Sequence, residues 1–295
     1  MTLHKYLNPS ILAQLQGLEL KARLVVEGTV SGKHRSPFKG FSVEFAEHKS
    51  YYPGDDIRYI DWKLYAKTNK FFIKQFDEDT NLKTYILLDM SGSMNFGTEM
   101  NNKSEFGKFL TVALSYLMLA QRDSVGLLTF THKIGAYIPP RNTMDHLHYI
   151  VTMLEQSTCS GSTGIAKALH YLANKIKRRG LIIIISDLID RQQNVLSHLR
   201  YLHTMKHEII VLHLVHPDEL TLPYKGTVQF THPERQDNLT TLPDRIRKNY
   251  SSRIQSFIEA YEQNCIHEGI DYHRIMTDNS LEDTVLRFIA KRKRY

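Results

Sequence analysis

Two short runs without a polar residue, Tyr85-Ile-Leu-Leu88 and Leu181-Ile-Ile-Ile-Ile185, constrain the fold of this chain more than anything else in it. A strand that is apolar at every position has no face to offer to water, so it must lie in a sheet covered on both sides. Such sheets are mostly parallel and are built from strands alternating with helices. Each run ends at polar residues that include a carboxylate. The first stops at Asp89 and turns through Ser91-Gly-Ser93, and the second stops at Ser186-Asp187. A Gly-flexed loop at the carboxyl end of a buried strand is where an open α/β sheet holds its ligand.

The rest of the chain from about residue 81 keeps this rhythm. Phe106, Phe109, Leu110, Ala113, Leu114 and Leu117 share one helical face, and residues 124–130 form a second strand. Residues 133–138 predict a short edge strand ending at Pro139-Pro140. Met144, Leu147, Ile150, Val151 and Leu154 mark a helix, and Ile165, Ala168, Leu169, Leu172 and Ile176 mark another, opened by Gly161-Ser-Thr163-Gly. A helix over 195–205, a strand over 209–215, a long amphipathic helix over 246–261, a strand over 270–275 and a helix over 281–289 complete the alternation. Residues 216–242, with Pro217, Pro223, Gly226 and Pro233, break it and predict an inserted loop or small hairpin.

The first 80 residues have a different texture. Asn8-Pro9 opens a helical pattern carried by Ile11, Leu12, Leu15 and Leu18, and the three glycines of residues 28–40 mark a loop. Phe41, Val43 and Phe45 alternate with polar residues as a half-buried strand does, Pro53-Gly54 marks a tight turn, and residues 71–76 predict a second strand. Trp62, the only tryptophan, is expected in a core or seam. The expected organisation is therefore an N-terminal mixed extension over 1–80 and an α/β domain over 81–295 with an insertion at 216–242. The domain is a doubly wound, mostly parallel sheet with helices on both faces.

Composition bounds the function. Two cysteines without metal spacing, Cys159 and Cys265, fit a reducing compartment; with no apolar signal core and no membrane-spanning run, the expected location is the cytoplasm. The fifteen histidines show no zinc spacing. The net charge of +7 is partly a tail, Lys291-Arg-Lys-Arg294, and otherwise a diffuse bias rather than a stripe that would track phosphates.

In a sheet of strand order 3-2-1-4-5-6 the first and fourth strands are neighbours at the switch point. That order brings Asp89, Ser91, Ser93, Thr163 and Asp187 to one crevice. Two carboxylates with three hydroxyls suit a hard cation such as magnesium, with manganese or calcium as a substitute. A plain helix-capping turn would account for Asp89 and the serines but leaves Asp187 unexplained.

The pattern Asp89-x-Ser91-x-Ser93, then Thr163 before a helix, then Asp187 ending an apolar strand, resembles the metal-ion-dependent adhesion site of von Willebrand factor A domains. Upstream, Gly40-Phe-Ser-Val-Glu-Phe45, Tyr52-Pro-Gly-Asp-Asp56, Arg58 and Ile60-Asp-Trp-Lys63 resemble the family catalogued as domain of unknown function 58. The resemblance implies that Ser91 and Ser93 ligate magnesium through their hydroxyls. Thr163 would ligate directly in a high-affinity arrangement, with Asp89 and Asp187 acting directly or through water. It further implies a bacterial protein-binding module that captures an acidic side chain, serving as adaptor or co-chaperone of a MoxR-type AAA+ ATPase. No Gly-x-x-x-x-Gly-Lys-Ser/Thr loop occurs in the chain, so nucleotide hydrolysis would fall to the partner.

Two alternatives belong to other classes. A metal-dependent phosphotransferase or hydrolase would use Asp89 as nucleophile, but the second acid such enzymes place two residues on is here Ser91, and no Gly-x-Ser-x-Gly elbow is present. Nucleic-acid binding through the basic tail would be steeply salt-dependent. The reading carried forward is a binder, not an enzyme.

Overall fold

The structure is a computed structural model that describes residues 13, 43–52, 60–78, 83–98, 101–234 and 237–292. The expected helix from Asn8, the glycine loop of 28–40, the Pro53-Gly54 turn and the setting of Arg58 lie outside the described residues. Among the described residues, those between Gly32 and Leu82 form one compact unit and those from Lys83 onward another.

The smaller unit is an antiparallel pair, β1 (Val43–Ser50) and β2 (Phe72–Glu78), with a short helix α1 (Trp62–Thr68) between them in sequence. A bulge between Phe45 and Glu47 shifts the register of β1 by one residue. Asp61 starts α1, its carboxylate accepting the amide of Leu64 at 3.0 Å. The sequence does not predict this helix, because seven residues offer too few turns for a helical period to emerge. Trp62 corrects a second expectation. It opens α1 with 62% of its surface exposed, its ring edge-on to Tyr65, and is not a core residue.

The larger unit is built on six strands: β3 (Lys83–Asp89), β4 (Ser124–Phe130), β5 (Ile134–Arg141), β6 (Leu181–Ser186), β7 (Glu208–Val215) and β10 (Asp271–Met276). They lie in the order β10-β7-β6-β3-β4-β5. Counted along the chain, that is the doubly wound 3-2-1-4-5-6 order, with β3 and β6 side by side at the centre. Five strands are parallel, and β5 pairs antiparallel with β4 at the edge. β5 runs on through Pro139-Pro140 to Arg141 instead of ending at the prolines. An edge strand tolerates proline because its outward amides have no ladder partner to lose.

Helices α2 (Lys103–Ala120), α3 (Met144–Gln156), α4 (Ile165–Lys175), α5 (Gln192–Thr204), α7 (Pro243–His267) and α8 (Leu281–Arg292) cover the sheet. Alternation along the strands assigns the faces. Tyr85, Leu87, Ile182, Ile184, Ile209 and Val211 pack with α4, α5 and α7, and all are buried. The opposite face carries Ile86, Leu88, Ile183 and Ile185 under α2. There Gly107 lets the helix approach so closely that an added Cβ would lie 3.0 Å from Leu88 Cδ1. Both faces being apolar is what the two all-apolar runs require.

Between β7 and α7 the chain forms a short helix α6 (Pro217–Thr221) and a two-stranded antiparallel hairpin, β8 (Val228–Thr231) with β9 (Asn238–Thr241). Every loop that follows a parallel strand leaves at the carboxyl edge of the sheet. The segment after β7 therefore emerges on the same edge as Asp89 and Asp187. No helix among the described residues is long and apolar enough to cross a membrane.

Candidate metal centre

Asp89 is the last residue of β3 and is fully buried. The register pairs Leu88 with Ile185, so Asp89 stands beside Ser186, with Asp187 one residue further. Three bonds hold its carboxylate. The amide of Ser91 donates to Oδ1 at 2.9 Å, and the hydroxyls of Thr163 and Ser186 donate to Oδ2 at 2.8 and 2.7 Å. Burial raises the carboxyl to about 6, with Asp187 adding in the same direction and the Ser186 and Ser91 bonds opposing.

The next turn is a 3₁₀ helix over Gly92–Asn95. Ser91 stands at its N-cap position but makes no side-chain capping bond. Its hydroxyl lies instead 3.1 Å from that of Ser93, whose side chain stands near enough to Asp187 to favour the ionised carboxylate. A backbone lattice fixes this turn against the segment that bears Thr163. The amide of Gly92 donates to the Gly161 carbonyl at 2.8 Å, that of Ser160 to the Met90 carbonyl at 3.0 Å, and that of Met90 to the Phe130 carbonyl at 2.7 Å. These bonds bring Thr163 to Asp89 across 74 positions of sequence.

Asp187 is held from the other side. Its Oδ2 accepts from the Lys103 ammonium at 2.8 Å and its Oδ1 from the amide of Ile189 at 3.3 Å. Burial is the largest single influence and pushes this carboxyl up. The Lys103 charge, the Lys103 hydrogen bond, and the smaller effects of Ser93 and the Ile189 amide together outweigh it and hold the carboxyl below the usual carboxylate range. Lys103 has no exposed surface and is shared with Glu219 of α6 at 2.6 Å. Glu219 is itself fixed by a capping box, its other oxygen accepting the amide of His216 at 2.9 Å. The residue after Asp187, Leu188, takes a left-handed backbone with φ 58°. That conformation costs a leucine about 1–2 kcal/mol. The bond from its amide to the Ser186 hydroxyl at 2.9 Å and that from the Tyr261 hydroxyl to its carbonyl at 3.3 Å retain it.

The donor set fits a small hard cation. Adjacent oxygens of an octahedron with metal–oxygen bonds of 2.0–2.1 Å stand about 2.9 Å apart. The Ser91–Ser93 hydroxyl pair, at 3.1 Å, is already close to that spacing. Thr163 spends its proton on Asp89, which leaves its oxygen lone pairs directed elsewhere. Among the described residues no three His, Cys, Asp or Glu side chains converge on one metal position. An ion here would be held chiefly by hydroxyls. Asp89, Ser91, Ser93 and Thr163 thus form one hydrogen-bonded group beside Asp187, and the structure adds Ser186, Lys103, Glu219 and, from the hairpin loop, Glu234. The Glu234 carboxyl lies near enough to be influenced by this group, burial and the Asp187 charge raising its pKa against Ser93 and the Thr163 backbone.

A family model described as "Protein of unknown function DUF58" matches residues 47–257. The chain is 26% identical over 291 residues, 97% of its own length and 91% of theirs, to the uncharacterized proteins Mb1516 of Mycobacterium bovis and Rv1480 of Mycobacterium tuberculosis. Among solved structures it is similar to BatB from Bacteroides thetaiotaomicron, over 72% of this chain and 100% of that one, with 17% identity and a TM-score of 0.49. It is similar also to the SpRpn10 VWA domain, over 69% and 93%, with 14% identity and a TM-score of 0.42.

Proposed function

From the premise that this chain belongs to the DUF58 family, we propose that its larger unit is a magnesium-dependent protein-binding module. The ion is held at Asp89, Ser91, Ser93, Thr163 and Asp187, and the module recognises a carboxylate offered by a protein partner. The observation that carries the reading is the group of three hydroxyls gathered beside two buried carboxylates at the carboxyl edge of the sheet. When bound, the ion supplies a Lewis-acidic position for an anionic oxygen.

The chain's own residues do the rest. Ser91 and Ser93 present neutral oxygens, so the charge of the ion is not exhausted by the protein and an incoming acid is attracted. Asp89 orients the Thr163 and Ser186 hydroxyls. Lys103, balanced by Asp187 and Glu219, keeps the Asp187 carboxylate ionised in a buried place. None of this makes or breaks a bond, so the reading is recognition.

The finer identity of the partner, a MoxR-type AAA+ ATPase that the chain serves as adaptor or co-chaperone, rests on the family resemblance. It is tested by affinity capture from the host with magnesium present. A MoxR-type ATPase retained by the wild type, and lost both on adding EDTA and in Asp89→Ala, supports the assignment. Equal recovery in all three conditions contradicts it.

A further inference from the structure

Residues 232–234, which follow β8, lie against the candidate metal centre. The amide of His232 donates to the Asp237 carbonyl at 2.9 Å, and the amide of Glu234 donates to His232 Nδ1 at 3.1 Å. Pro233 sits on the serine turn. A Cβ added to Gly92 would lie 2.4 Å from the Pro233 carbonyl oxygen, so only glycine at 92 admits this contact. The next residue, Glu234, carries a half-buried carboxylate near enough to Asp187, Ser93 and Thr163 for all three to act on its charge. Its Oε1 is buried and has no hydrogen-bond partner. A buried carboxylate oxygen without a partner, placed among other acids, is costly unless a cation is shared between them.

We propose that Glu234 is an internal ligand of this centre, its free oxygen directed at the same divalent ion as Ser93 and Thr163. This inference rests on the metal-site reading above. A carboxylate on that ion is chemically what a partner's acidic side chain would be. The chain therefore fills the partner's position itself, and a partner's carboxylate enters only in exchange for Glu234. Because Glu234 is tethered, it competes at an effective concentration in the millimolar range, which a lone soluble carboxylate at lower concentration does not overcome. A partner must add contacts beyond its acid, and that requirement gives the site selectivity against free carboxylates.

Glu234 is half-buried in the loop of a hairpin whose strands are largely exposed, so substitutions here leave the core intact. The test uses manganese as the probe, with the full chain as wild type, Glu234→Gln, Glu234→Ala and Asp89→Ala/Asp187→Ala. Water-proton relaxation counts the exchangeable waters on the bound ion, and a titration gives its affinity. In Glu234→Ala the bound ion should carry roughly one more exchangeable water, and its affinity should fall by about tenfold, as loss of a charged oxygen ligand implies. Glu234→Gln should lose affinity in the same direction. Millimolar acetate should displace the extra water in Glu234→Ala and leave the wild type unchanged. Identical water count and affinity in the wild type and both Glu234 variants overturns the internal ligand and leaves the metal site standing. Manganese binding that is absent from the wild type, or that survives Asp89→Ala/Asp187→Ala, overturns the site and this inference together.

Discussion

Lys103 is the residue whose role is least visible in the sequence and largest in the structure. It is an ordinary lysine at the start of a helix, a place where a cation opposes the helix dipole. The fold buries it between Asp187 and Glu219 because both stand at the carboxyl edge of the sheet. Lys103→Ala would leave Asp187 buried without its counter-charge, and breaking such a pair costs about 3–5 kcal/mol. Urea denaturation should show a loss of that order, and a loss near zero would mean that Asp187 is not ionised in the folded chain. His207 illustrates a titration at the opposite end of the sheet, before β7 and remote from the metal centre. Burial lowers its folded pKa, with the Gly180 backbone bond opposing. A depressed histidine contributes stability that is fully present above its unfolded value of about 6.5 and is lost as pH falls through the lower folded value. Urea midpoints at pH 7.5 and 5.5 should therefore diverge more for the wild type than for His207→Gln; equal divergence would contradict the assignment.

At the scale of elements, legibility follows burial. β3 and β6 are plain in the sequence because burial on both faces leaves no room for a polar residue, and their ends fix Asp89 and Asp187. The end of β5 is hidden in the sequence, since an edge strand accepts the two prolines that punctuate elsewhere. Helix α1 leaves no periodic trace in the sequence because it is shorter than two full turns of pattern. The break at 216–242 is legible as a break, but its consequence is not. Composition does not say that the hairpin loop sets Pro233 on the serine turn, although a loop following a parallel strand must emerge on the site's edge. Gly92 is the hinge of that contact. In Gly92→Ala the new methyl meets the Pro233 carbonyl, so hydrogen exchange at the amides of β8 and β9 should quicken while β3 and β6 keep their protection. Unchanged exchange in the hairpin would mean that Pro233 does not rest on the turn.

For the molecule as a whole, one sheet order carries the account. The order 3-2-1-4-5-6 makes neighbours of two strands nearly a hundred residues apart, and with them two acids. The loop lattice around Gly161 adds Thr163 from a third place in the chain. That convergence was predictable from alternation and from the switch-point rule, because both are consequences of packing helices on a parallel sheet. The Lys103–Glu219 pair and Glu234 were not, because each depends on where a side chain is turned and not on a period. The most direct test of the central claim is calorimetric titration of the purified full chain with magnesium, beside the folded double variant Asp89→Ala/Asp187→Ala. One site in the wild type and none in the variant is the expected result; magnesium bound with the same affinity by both would mean that the two acids hold no ion.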